Sequence, residues 1–175
     1  MQQKWRTSIT SAYKRRCVLR ASFVGGFGVA CLVAGGSFMP LEWLSIWGLP
    51  LLVGAGGLIT WSMLPYRRTT RLENKPDELW LNASGSLTYA KGGSPTLTVP
   101  EIAVEKMFYI AKPNIYGICI AIKPHPPEKV RVHDVDFNYS QFQQDNIRKY
   151  GCEIFLSFFS ERTFNDISTP AEPQE

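Results

Sequence analysis

His125 and His133 are the chain's two histidines, and Asp134 and Asp136 stand beside the second. Imidazole and carboxylate together suit several divalent metals, and the same pairing can move protons in catalysis. The spacing supports neither use. Metal-binding histidines on a helix recur at i and i+4, whereas His125 sits in the proline-flanked Lys123–Pro127 and His133 lies eight residues later. Cys17, Cys31, Cys119 and Cys152 are scattered, with no CxxC and no zinc-type spacing. They read as buried or half-buried thiols of a reducing compartment. A nucleophilic serine would need a sharp turn and a neighbouring base, and no G-x-S-x-G occurs. Gly85, Gly92 and Gly93 sit in hairpin-turn sequence rather than in a P-loop or G-x-G-x-x-G. Glu101 and Glu105 fall in strand-like sequence and read as solvated surface. The expectation is a non-enzymatic protein with no catalytic residue, no metal and no cofactor.

The elements that would position any site begin with two apolar runs, Ala21–Met39 and about Leu44–Leu64, separated by Pro40–Trp43. The first run makes about 28 Å of helix, close to the ~30 Å hydrocarbon core of a bilayer. Backbone groups in a bilayer must be satisfied within the segment, so glycine-rich runs still form helices there. Glu42 is the only charge between Ala21 and Leu64. The pair reads as a transmembrane hairpin over 21–64. The absence of an ionisable group inside either run argues against a pump or coupled transporter. Trp43, Trp47, Trp61 and Tyr66 fall near the run ends, where aromatic belts sit. Pro50 lies early in the second run, tolerable near a first turn and a kink if deeper. Ser22, Gly26, Ala30 and Ala34 recur every fourth residue, a stripe that lets helices approach closely. Two readings stay open: packing inside the hairpin with Gly54 and Gly57 opposite, or contact with a second copy.

The net charge of +4 averages two unlike parts. Lys4, Arg6, Lys14, Arg15, Arg16 and Arg20 precede the first run, and Arg67, Arg68 and Arg71 follow the second. None of these nine charges lies in the turn. The positive-inside rule puts both termini in the cytoplasm. Arg15, Arg16, Arg20, Arg67, Arg68 and Arg71 are expected to meet anionic lipid. From Leu72 onward ten basic residues face fourteen acidic ones, so the basic pI is no sign of a nucleic-acid-binding domain. Residues 1–20 read as a basic cytoplasmic segment with an interfacial helix over Ile9–Arg20 and Trp5 and Tyr13 at the headgroups. A cleaved signal peptide is disfavoured by the twenty residues before the run and by the second run that follows at once. Residues 65–77 read as a basic juxtamembrane linker.

Beyond it the apolar period falls to two, the signature of half-buried strands. Leu79 and Leu81, then Leu87 and Tyr89, then Leu97 and Val99 alternate across turns at Ala83–Ser86 and Lys91–Pro95. Further strands are predicted over Ile102–Ala111, Tyr116–Lys123, Val130–Val132 and Cys152–Phe158, with a turn at Lys112–Asn114. In Tyr116–Lys123 the small face of Gly117, Cys119 and Ala121 implies a close neighbour. Asn138 is suited to cap a helix that Gly151 ends, and Ser160 to cap a last helix through about Ile167. Residues 169–175 read as a disordered tail. Phe155, Phe159 and Phe164 have two readings, as core and as a partner patch; a domain this small must bury most of its aromatics.

The hairpin followed by DELWLNASGSLTYAKGGSPTLTVPEIAVEKM resembles small bacterial inner-membrane proteins of unknown function that carry a cytoplasmic pleckstrin-homology-like domain. Thr98-Val99-Pro100-Glu101-Ile102 occupies their I-P-W-E-x-I step without its tryptophan, and NIRKYGCEIFLSF resembles their closing helix, glycine and strand. The resemblance implies an α+β domain over 78–168, a half-open antiparallel barrel closed by a C-terminal helix. It also implies a multi-pass protein of the bacterial inner membrane, and it transfers no site residue. The functional expectation is an interaction or scaffold module whose partners are the lipid bilayer and a protein or a second copy, with no nucleic acid. Alternatives are a lipid-sensing domain and a subunit of a transport or secretion complex.

Overall fold

The computed structural model of the chain describes residues 3–82, 84–112 and 115–168. The chain divides into two compact units, Ile9–Arg71 and the combination of Met1–Ser8 with Leu72–Glu175.

The first unit is a pair of helices, α1 (Ser11–Phe38) and α2 (Leu41–Asn74), the latter running on into the second unit. Both are long and apolar enough to cross a membrane. At 1.5 Å per residue their 28 and 34 residues span about 42 and 51 Å. Each therefore exceeds its apolar run. The expected juxtamembrane linker is helical as far as Asn74, and α2 carries Pro65 as well as Pro50 inside it.

The helices pack through Gly25, Gly28 and Gly35. A Cβ at Gly25 would stand 3.0 Å from Ser62 Oγ, and one at Gly28 would stand 3.0 Å from the Ala55 carbonyl oxygen; Gly35 faces Leu51. This corrects the expected packing set. Gly26, Gly54 and Gly57 have nothing within 4 Å, and Ser22, Ala30 and Ala34 are exposed. The physical reason is that α1 carries small residues on two faces, and only the partner helix selects one. The antiparallel match of Gly25 with Ser62 and Gly35 with Leu51 also brings Arg20 over the Trp61 ring at 4.2 Å, a cation–π contact.

The second unit holds two antiparallel sheets. One has the order β1 (Gln3–Arg6), β2 (Glu78–Leu81), β3 (Leu87–Lys91), β4 (Ser94–Val99), β7 (Arg131–Val132). The other has the order β5 (Val104–Lys112), β6 (Ile115–Ile122), β8 (Ile154–Ser157). A 3-10 turn, Glu101–Ala103, joins them where a longer strand was expected. Leu79, Leu87, Leu97 and Val99 of the first sheet meet Ile118, Ile120, Ile154 and Leu156 of the second around Phe159. Each such buried side chain contributes about 1.5–3 kcal/mol of transfer free energy.

The helix α3 (Tyr139–Tyr150) starts where Asn138 Oδ1 accepts from the Gln141 amide and stops at Gly151 in the left-handed conformation. The helix α4 (Glu161–Ser168) starts where Ser160 Oγ accepts from the Thr163 amide. Phe155 and Phe159 are 6% and 0% exposed, and Phe164 packs on the core. Phe159 lies in the core between the sheets and Phe155 in a separate cluster with Cys119 and Cys152, so neither of these two rings is at the surface for a partner. The turn expected at Lys112–Asn114 lies in part, and the tail Thr169–Glu175 wholly, outside the described residues.

The largest departure from the sequence reading is β1. Gln3–Arg6 pairs antiparallel with Glu78–Leu81, so Trp5 belongs to the sheet unit. The first helix begins at Ser11, and the segment before it joins the folded domain. Thr7 N–H donates to the Asp77 carbonyl and Ser8 N–H to the Phe158 carbonyl, while the Tyr116 hydroxyl donates to the Ser8 carbonyl at 2.6 Å.

Candidate functional site

Among the described residues no backbone hydrogen bond joins the two sheets along the line between β1 and β5. Each of these strands ends its sheet's order, so each has one unpaired edge. The helix α4 occupies part of this seam. From β1, Trp5 Nε1 donates to Asp166 Oδ2 at 3.3 Å. From β5, the Tyr109 ring lies 6.0 Å from that of Phe164, and its hydroxyl donates to the Phe159 carbonyl. What α4 leaves open is a groove of about 840 Å³, within the ~300–1,000 Å³ range of ligand pockets. Leu81, Leu87, Val104, Met107 and Ile167 supply apolar lining; Lys4, Glu101, Glu105, Lys106 and Asp166 supply charge. Glu105 sits at a register shift in the β5–β6 ladder, a bulge that turns the local edge.

The wall formed by β1 is held electrostatically. Lys4 Nζ lies 2.7 Å from Glu78 Oε2 and Arg6 Nε lies 3.2 Å from Glu78 Oε1, while Trp80 Nε1 donates to Oε2 at 3.3 Å. Burial pushes the Glu78 carboxyl up, but Lys4, Trp80 and Arg6 outweigh it and hold it below the ordinary carboxylate value. Lys4 and Arg6 are thus drawn into the sheet unit, and seven of the nine flanking charges remain on the helical unit.

Asp77 ties the neighbouring turn: its carboxylate accepts from the Tyr89 hydroxyl at 2.8 Å and from the Gly92 amide at 3.1 Å, and its own amide donates to Thr7 Oγ1. The Tyr109 hydroxyl is pushed up by burial, with Tyr116 and Glu161 adding to it. It stays protonated and so remains a donor.

The histidines are not brought into this groove. His133 is exposed and hydrogen-bonds through Nε2 to Thr98 Oγ1 at 2.9 Å, and His125 is exposed in its loop. Among the described residues no group of three or more His, Cys, Asp or Glu converges to hold a metal. The arginines Arg15, Arg16, Arg20, Arg67, Arg68 and Arg71 all lie on the helical unit. Sequence reasoning missed the groove because its walls come from segments about 100 residues apart. Trp5 and Lys4 carry no alternation that marks a strand.

Comparison with protein-family models, curated proteins and solved structures found no match. What can be said of the chain is two long apolar helices near the N-terminus, then antiparallel sheets and a C-terminal helix.

Proposed function

We propose that this protein is a two-helix membrane protein whose sheet domain is a non-enzymatic interaction module, with the groove beside α4 as its docking site. The observation that carries this reading is the pair of unpaired strand edges, β1 and β5, flanking one partly apolar groove. Unpaired main-chain donors and acceptors are matched best by another polypeptide in extended form, the mode of β-strand addition. The occupant is therefore an extended segment of a protein partner. Alternating side chains of such a segment would contact Leu87 and Met107 on one side and the charged rim of Lys106 and Glu105 on the other.

We further propose a pleckstrin-homology-like domain; two antiparallel sheets with a C-terminal helix at their seam support that reading. Strand β1 precedes the hairpin and β2 follows it, and the two are paired. That pairing supports both flanks lying on one side of the membrane. The seven remaining flanking charges favour the cytoplasmic side of a bacterial inner membrane.

A photo-crosslinking residue placed at Lys106 in native membranes tests the docking site. The expected result is a discrete protein adduct, absent when the same residue is placed at the exposed Lys129. Equal labelling at both positions, or none, removes the reading; a phospholipid adduct at Lys106 would move it to lipid sensing. Reporter fusions at the C-terminus test the side of the membrane.

A further inference from the structure

Cys119 and Cys152 are 33 residues apart in sequence, yet their Sγ atoms lie 2.6 Å apart. Cys119 is central in β6 and 0% exposed; Cys152 is 1% exposed. Two features create the contact. Gly151, at φ 73°, ends α3 and turns the chain back toward the sheet. The β6–β8 register then sets Ile120 opposite Ile154, which carries the residues just before β8 alongside β6. The pair lies in a small cluster of its own with Phe155, whose ring stacks on Tyr150 of α3 at 4.1 Å. Cys17 and Cys31 belong to the helical unit.

We propose that Cys119 and Cys152 are a redox-active dithiol that closes to an intramolecular disulfide, joining the end of α3 to β6. The sulfurs need approach by only about half an ångström to reach the ~2.05 Å of a disulfide. Two independent features bring them together, the register of β6 with β8 and the left-handed glycine, and neither serves the groove. The inference therefore does not rest on the proposed docking function.

The oxidant is hydrogen peroxide. One thiol loses its proton and its sulfur attacks the peroxide, whose O–O bond breaks; this gives a sulfenic acid and one water. The second sulfur, on losing its proton, displaces the hydroxyl as a second water and forms the S–S bond. Two electrons leave the thiols and reduce the peroxide. In the closed state burial holds both thiols protonated, so reaction requires the end of α3 to open. The Tyr150–Phe155 stack and the bond from Asn146 Nδ2 to the Glu153 carbonyl are the contacts that open. In a reducing cytoplasm the pair rests as the dithiol and closes under oxidative load.

The test uses full-length protein in detergent, treated with hydrogen peroxide, then denatured, alkylated and digested for mass spectrometry. The expected product is one cross-linked pair of peptides containing Cys119 and Cys152, about 2 Da lighter than the two reduced peptides, and restored by dithiothreitol. C119S and C152S should each abolish it, and the C17S/C31S double variant should retain it. Oxidised wild-type protein should also unfold at a higher temperature than reduced protein, with no such difference in C119S. Both cysteines staying fully alkylatable after peroxide, or a bridge formed to Cys17 or Cys31 instead, overturns the proposal. The wild-type result alone decides it should either serine variant fail to fold.

Discussion

Replacing Glu78 by glutamine should release β1 from the sheet. The Glu78 side chain is 9% exposed, whereas those of Lys4 and Arg6 are 43% and 66% exposed. Exposed cations limit each ion pair to about 0.2–1 kcal/mol. Loss of charge at the acceptor also weakens the Trp80 bond, by about 0.5 kcal/mol. The total is about 1–2.5 kcal/mol. Since about 1.4 kcal/mol is a factor of ten, the open population of β1 should rise roughly 5–60-fold. Trypsin cannot cut after Lys4 or Arg6 while they pair with Trp80 and Glu78, so cleavage there follows the open population when opening is fast. A change below about twofold would refute the view that Glu78 holds β1. The same carboxylate sets a pH dependence. Its folded value lies below the ordinary 4.5, so its contribution is fully present above that value and is lost as pH falls through the folded one. Amide exchange at Lys4–Arg6, corrected for intrinsic rate, should accelerate only as the pH falls below 4.5 in wild type. It should show no such step in the glutamine variant.

Three further outcomes follow from the geometry. Gly117→Ala should destabilise the sheet unit by about 3 kcal/mol or more, read by thermal unfolding, because a Cβ there would meet the Leu156 carbonyl oxygen of β8 at 2.1 Å. Asp77→Ala should cost about 1–2 kcal/mol by removing a carboxylate that accepts from the Tyr89 hydroxyl and the Gly92 amide, measured as a shift of the denaturant midpoint. In the hairpin, Gly28→Val should weaken helix pairing while Gly26→Val should not, since only Gly28 faces the partner backbone; cysteine cross-linking between α1 and α2 in membranes reports it.

Much of the fold was legible because it is local. Alternation at Leu79, Leu87, Leu97, Ile118 and Ile154 follows from the two-residue repeat of a strand, and these residues form the core. Asn138, Gly151 and Ser160 act at helix ends through bonds to residues three or four positions away, which a sequence displays directly. The packing face of α1 was not legible, because Gly25 and Gly26 differ in nothing but the angle at which they meet α2. The candidate groove was still less so: Lys4 and Trp5 look like any basic, aromatic flank of a membrane helix. Cys119 and Cys152 show no motif, since their contact depends on a register 33 residues away.

By itself the sequence determined two apolar helices, a period-two domain after them and the ends of the short helices. These depend on backbone periodicity, on hydrocarbon length and on hydrogen bonds within one turn. Only the tertiary structure decided that Gln3–Arg6 pair with β2, that the seam between β1 and β5 stays partly open, and that two thiols touch. Those features come from contacts between distant segments, where the partner and not the residue type selects the face.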